Sequence, residues 1–168
     1  DSTRGDGFVI IRPRSPTRPL KEGPLKPDNR RHKRFPVLKD MAEPVDLFVM
    51  DQPPREVPAV LTNLSAGGMA LVVFAHVSGD AKLKILLDVH GLENLELQGR
   101  VAWTEVKGDT TAIGVRFDHL SHDTVHRITK MAEDFQDCEL KISFGLKDVC
   151  FRQCAYWTLC GKPVKLKH

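Results

Sequence analysis

A chain of 168 residues of which 41% are apolar has room for one packed domain with appendages and is too apolar for wholesale disorder. Its net charge of +3 hides an uneven spread: residues 1–39 hold 11 Lys/Arg against 4 Asp/Glu, residues 40–140 hold 8 against 17, and residues 141–168 hold 6 against 1. A basic arm, an acidic body and a basic tail assign anion recognition to the ends, and no apolar run reaches the roughly 18 residues of a membrane-spanning helix.

The first 36 residues carry Pro13, Pro16, Pro19, Pro24, Pro27 and Pro36. Proline fixes φ and removes a backbone donor, so an extended, flexible arm or linker is expected over 1–27, with at most a short strand at Phe8–Ile11. From Val45 the pattern turns to a period of two. Val45, Leu47 and Val49 alternate with polar positions, as do Val57, Ala59 and Leu61, and Leu83, Ile85 and Leu87. Leu95, Leu97, Val101 and Trp103 fit one longer strand with a bend or bulge at Gly99, and Ile113, Val115 and Phe117 make another. Turn residues separate these runs at Pro53-Pro54, Ala66-Gly67-Gly68, Ser78-Gly79-Asp80, His90-Gly91 and Lys107-Gly108-Asp109. Closely spaced strands without intervening helices predict a mainly β fold, a six-stranded antiparallel barrel. After Asp118 the period changes. Ser121 reads as an N-cap for a helix carrying Val125, Ile128, Met131 and Phe135, ending about Phe135 and packed on one end of the barrel.

Two motifs carry chemistry. Arg30-Arg31-His32-Lys33-Arg34 stands just upstream of the first barrel strand, where two planar, permanently charged forks suit phosphate oxygens and the O6/N7 edge of guanine. After the second strand comes Asn63-Leu64-Ser65-Ala66-Gly67-Gly68. It is a turn by composition, yet Asn63 and Ser65 share one side of a strand end and Gly68 permits close backbone approach. Arg31 and Lys33 read as water-facing, Arg116 as a structural or surface arginine, and Trp103 as a barrel-end aromatic, with stacking on a ligand the lesser alternative. His119, His122 and His126 read as a solvated first turn.

In order and spacing the two motifs resemble the signatures of the PilZ domain family, RxxxR followed by [D/N]xSxxG: Arg30 and Arg34, then Asn63, Ser65 and Gly68. Gly99-Arg100-Val101-Ala102-Trp103 and Ile113-Gly114-Val115-Arg116-Phe117 agree in kind. The resemblance covers roughly residues 28–135. It implies a PilZ-type barrel over 28–136 and a non-enzymatic receptor for cyclic di-GMP that relays binding to a protein partner. Arg30 and Arg34 would then hold phosphate and guanine, and Asn63 and Ser65 a base edge. A handful of charge-assisted hydrogen bonds of about 1.5–3 kcal/mol each, less the cost of ordering the arm, gives about −8 kcal/mol, a micromolar constant. The alternative from a different class is a nucleic-acid-binding module with a basic arm and a metal-stabilised tail, which the acidic body disfavours.

The last segment, 137–168, is a cysteine-rich extension. All four cysteines of the chain, Cys138, Cys150, Cys154 and Cys160, fall there. No export signal opens the chain, so a reducing cytoplasmic setting is expected, and four thiolates match one zinc ion or one iron–sulfur cluster. The spacing is not the CxxC of zinc knuckles, so buried free thiols or disulfides stay open as readings. Cys150 and Cys154 share a face if that stretch is helical.

Overall fold

The computed structural model describes residues 30–37, 44–147 and 149–161; the arm over 1–27 and the expected strand at Phe8–Ile11 lie outside them. Seven strands and a long helix follow in order: β1 (Arg34–Pro36), β2 (Pro44–Val49), β3 (Arg55–Ser65), β4 (Gly68–Val73), β5 (Lys82–Val89), β6 (Leu92–Lys107), β7 (Thr110–Phe117) and α1 (His122–Ser143). A single 3-10 turn at Trp157–Leu159 closes the described chain.

Every strand pairing is antiparallel, in the order β3-β2-β5-β6-β7-β4, and β4 pairs back onto β3 to close a six-stranded barrel. β1 is a seventh strand. It lies against Asn63–Ser65 at the end of β3, while β2 pairs with Arg55–Val60 at its start. The expected period of two holds on β2 and β5, whose Val45, Leu47, Val49, Leu83, Ile85 and Leu87 are all buried. β4 has no alternation because nearly every residue of Gly68–Val73 is buried, so its sequence is a continuous apolar run.

Two bulges decide which side chains face outward. At Thr62 the register of β3 against β4 slips, and Thr62 Oγ1 donates to Ala70 O at 3.0 Å. Leu61 and Leu64 therefore both enter the core, and Asn63 and Ser65 turn to the other face. The second slip lies between Val101 and Trp103, at Ala102, not at Gly99 as the sequence suggested. Gly99 is instead a close approach, where a Cβ would stand 2.5 Å from Arg116 O. The Ala102 bulge leaves Val101 in the core and turns Trp103 out of it.

α1 begins as expected: Ser121 Oγ accepts from Thr124 N at 3.1 Å. It packs on β1 and β3 with Ile128, Met131 and Ala132 buried. It runs two turns past Phe135, because the apolar stripe fades there while the helix continues in solvent-facing residues braced by Lys141 Nζ donating to Asp137 Oδ2. Gly145 stops it at φ +73° in a left-handed cap, its N–H bonded to Ile142 O and that of Leu146 to Lys141 O.

Candidate functional site

The pairing of β1 with β3 sets Arg34 opposite Ser65, Phe35 opposite Leu64 and Pro36 opposite Asn63. Thus two motifs about thirty residues apart in sequence become cross-strand neighbours. Phe35 is the anchor, wholly buried against the core while Arg34 beside it stays exposed.

Where they meet lies an open cleft of about 330 Å³. The arm supplies Arg30, Arg31, His32 and Arg34; the β3–β4 turn and β4 supply Ser65, Gly67, Gly68 and Met69. Ala102 and Trp103 of β6 and Gly114, Val115 and Arg116 of β7 complete it. Its size falls within the span of about 300–1,000 Å³ usual for small-molecule sites. Four arginines border it, and none of the described residues lining it is acidic. Arg31, Arg34 and Arg116 have no ion pair among the described residues. Such a concentration of positive charge attracts a small polyanion.

The glycines shape this cleft by what they lack. A Cβ at Gly68 would fall on the carbonyl oxygen of Val115, and one at Gly114 would collide with the Trp103 indole. The indole therefore lies over bare backbone while remaining 43% exposed. A Cβ at Gly67 would come within 2.7 Å of His32 Cδ2, so the imidazole is seated on the turn.

The five residues expected from the sequence divide. Arg30, Arg34, Ser65 and Gly68 border the cleft, and Asn63 does not. Ser65 is buried, with Oγ donating to Gly68 O at 2.9 Å, so it holds the turn that presents the cleft floor. Asn63 Oδ1 is buried and has no hydrogen-bond partner among the described groups. The cleft also takes in Trp103, for which the sequence made ligand stacking only the lesser alternative, Arg116, which it read as structural or surface, and His32, to which it gave no role; their place follows from cross-strand register and the Ala102 bulge.

A second, much smaller cavity lies between α1 and the tail. Asp134 and Cys138 of α1 line it with Val149, Cys150, Phe151, Cys154, Tyr156, Trp157 and Cys160 of the tail. None of the four cysteines forms a disulfide. The stretch bearing Cys150 and Cys154 is a set of turns, not the helix that would have placed them on one face. As they stand, no three His, Cys, Asp or Glu groups among the described residues are disposed to hold a metal ion, so the expected zinc or iron–sulfur centre has no preformed ligand set. Burial pushes the Cys154 thiol above its ordinary pKa, with the charge of Asp134 adding to the effect.

The tail is tied to the domain by specific contacts. Asp134, buried in α1, accepts from Lys130 Nζ at 2.8 Å and from Ala155 N at 2.7 Å. The carboxylate's hydrogen bond and charge raise the Lys130 pKa. Tyr156 stands edge-on to Phe35 and Phe135, with ring centroids 5.5 and 4.9 Å away, and its hydroxyl donates to Pro36 O at 2.8 Å. Burial pushes its phenol up to about 12.

The comparisons agree with this architecture. Among solved structures, the chain is similar to YcgR from Escherichia coli in complex with c-di-GMP, at 12% identity and a TM-score of 0.51 over 70% of this chain and 50% of that one. The PilZ domain of YcgR with c-di-GMP gives 12% identity and 0.49, covering 70% of this chain and 98% of that one. The Bacillus subtilis inhibitor of motility, MotI/DgrA, gives 15% and 0.46 over 64% and 51%. The match thus spans about half the length of two of these three proteins, and at such identities the likeness concerns the fold. No curated protein matches the sequence. The PilZ domain model matches residues 28–134, which take in β1, the whole barrel and the first half of α1: the chain belongs to the PilZ domain family.

Proposed function

We propose that this chain is a receptor for cyclic di-GMP, binding the dinucleotide in the cleft between the arm and the β3–β4 turn. The observation that carries the reading is the meeting of Arg30 and Arg34 of RxxxR with Ser65 and Gly68 of NxSxxG in one cation-lined cleft beside an exposed indole. Family membership supports it, as does a similar fold solved with c-di-GMP. A guanine dinucleotide with two phosphates has the two features this cleft addresses, anionic oxygens and flat bases. Arg30 and Arg34 grip phosphate and the guanine O6/N7 edge through charge-assisted hydrogen bonds of about 1.5–3 kcal/mol each. Trp103 offers one base a stacking face, and Arg116 adds charge at the cleft's far side. Gly68 leaves the floor open, and Ser65 holds the turn. Asn63 Oδ1 is an orphaned acceptor costing about 1–3 kcal/mol, which a guanine N–H donor recovers if the arm shifts to admit it.

In this reading residues 1–27 are a linker, 28–136 the ligand-binding domain and 137–168 an extension, acting in the cytoplasm. No catalytic step is assigned. Ligand binding reorders the arm, and a protein partner reads the changed surface.

Isothermal titration with cyclic di-GMP tests this. Saturable heat with a dissociation constant near micromolar is expected, weakened about tenfold or more by Arg34→Ala, since 1.4 kcal/mol is a factor of ten. Absence of saturable heat, or unchanged binding in both Arg30→Ala and Arg34→Ala, refutes it. Generic RNA or DNA binding that falls steeply with salt, without a dinucleotide response, returns the nucleic-acid alternative.

A further inference from the structure

The cleft and its turn leave the second cavity unused. There the four cysteines of the chain, spread in sequence from residue 138 to residue 160, surround one space of about 10 Å³, room for the centre of a single atom-sized guest. Four sulfurs around one small space suit a soft cation.

We propose that the cavity is a site for one thiophilic divalent cation, held by sulfurs of Cys138, Cys150, Cys154 and Cys160. Each thiol that ligates gives up its proton to solvent as its sulfur bonds the metal, with no change of oxidation state. The thiols are not poised as a finished ligand set, so uptake draws them inward. The tail backbone accommodates this. Among the described residues, its own backbone bonds around the cysteines are short-range turn bonds, such as Cys154 N to Phe151 O and Trp157 N to Cys154 O, and no strand ladder has to break. Cys138 on α1 is the fixed point toward which the tail closes.

The two tryptophans of the chain fall one to each site, Trp157 on the cysteine cavity and Trp103 on the arginine cleft, so each site has its own reporter. In the full-length, reduced, metal-free Trp103→Phe protein, Zn²⁺ is expected to shift Trp157 emission and saturate at one equivalent per chain. Co²⁺ in its place is expected to give thiolate-to-cobalt charge-transfer absorption. Both signals disappear in the Cys150→Ser/Cys154→Ser double variant with its barrel circular dichroism retained. In the unmutated chain, one equivalent of Zn²⁺ blocks alkylation of the cysteines, a measurement that does not depend on the variant folding. Absence of saturation at one equivalent, uptake that survives loss of both cysteines, alkylation indifferent to Zn²⁺, or stoichiometric cluster assembly from iron and sulfide each overturns the proposal. Because no readout involves the dinucleotide, the two sites stand or fall separately.

Discussion

Trp103 and Gly114 are cross-strand partners, and the absence of a side chain on one lets the other lie flat and open beside four arginines. Its ring is poorly used as core, at 43% exposed, so removing it leaves the barrel largely intact. Base-to-aromatic stacking contributes about 1–3 kcal/mol per base on alanine substitution. Trp103→Ala is therefore expected to weaken cyclic di-GMP binding in calorimetry by about fivefold to 150-fold with little change in melting temperature. Gly114→Ala is expected to weaken binding with the tryptophan still present, because the added methyl displaces the indole. Wild-type affinity in both variants would remove Trp103 from the ligand site. Ser65 makes the opposite prediction. Its buried hydroxyl serves Gly68 O, so Ser65→Ala costs about 1 kcal/mol of stability in denaturant unfolding.

At the scale of elements, legibility followed exposure. β2 and β5 show alternation because one face is in the core and one in water, and α1 announces itself by Ser121 and its apolar stripe. β4 is buried on both faces and shows no period, and the last two turns of α1 carry no stripe to follow. The bulges at Thr62 and Ala102 are relations between strands, so no single segment encodes them. That is why Arg30, Arg34, Ser65 and Gly68 were readable as a motif, while stacking by Trp103 was only the lesser reading and Arg116 read as structural or surface. β1 has only three residues, too few to hold by ladder hydrogen bonds alone, and Phe35 anchors it. Phe35→Ala is expected to cost about 3–5 kcal/mol in denaturant unfolding. Dinucleotide affinity falls with it although every arginine remains, and Phe35→Leu restores most of both. Full affinity in a destabilised Phe35→Ala protein would show that the arm needs no seat on β3.

Across the whole molecule, one side chain spans the distance from the tail to the arginine arm. Tyr156 borders the cysteine cavity, meets Phe135 of α1 and Phe35 of β1 by its ring edges, and bonds Pro36 O, two residues beyond Arg34. Tyr156→Phe keeps the ring and deletes one hydrogen bond, so a loss of about 0.5–1.5 kcal/mol is expected. The phenol also sets a pH limit. Burial raises its pKa from 10.0 to about 12 in the folded chain, so the fold favours the protonated form. The contribution is fully present below pH 10. It is lost between pH 10 and about 12, where the unfolded chain sheds a proton that the folded one keeps, at up to about 1.4 kcal/mol per pH unit. Tyr156 is the only tyrosine of the chain, so tyrosinate absorbance reads it without interference. Absorbance and the loss of barrel circular dichroism should rise together, well above pH 10. Ionisation near pH 10 in a protein still folded would mean that the ring is not held between tail and arm.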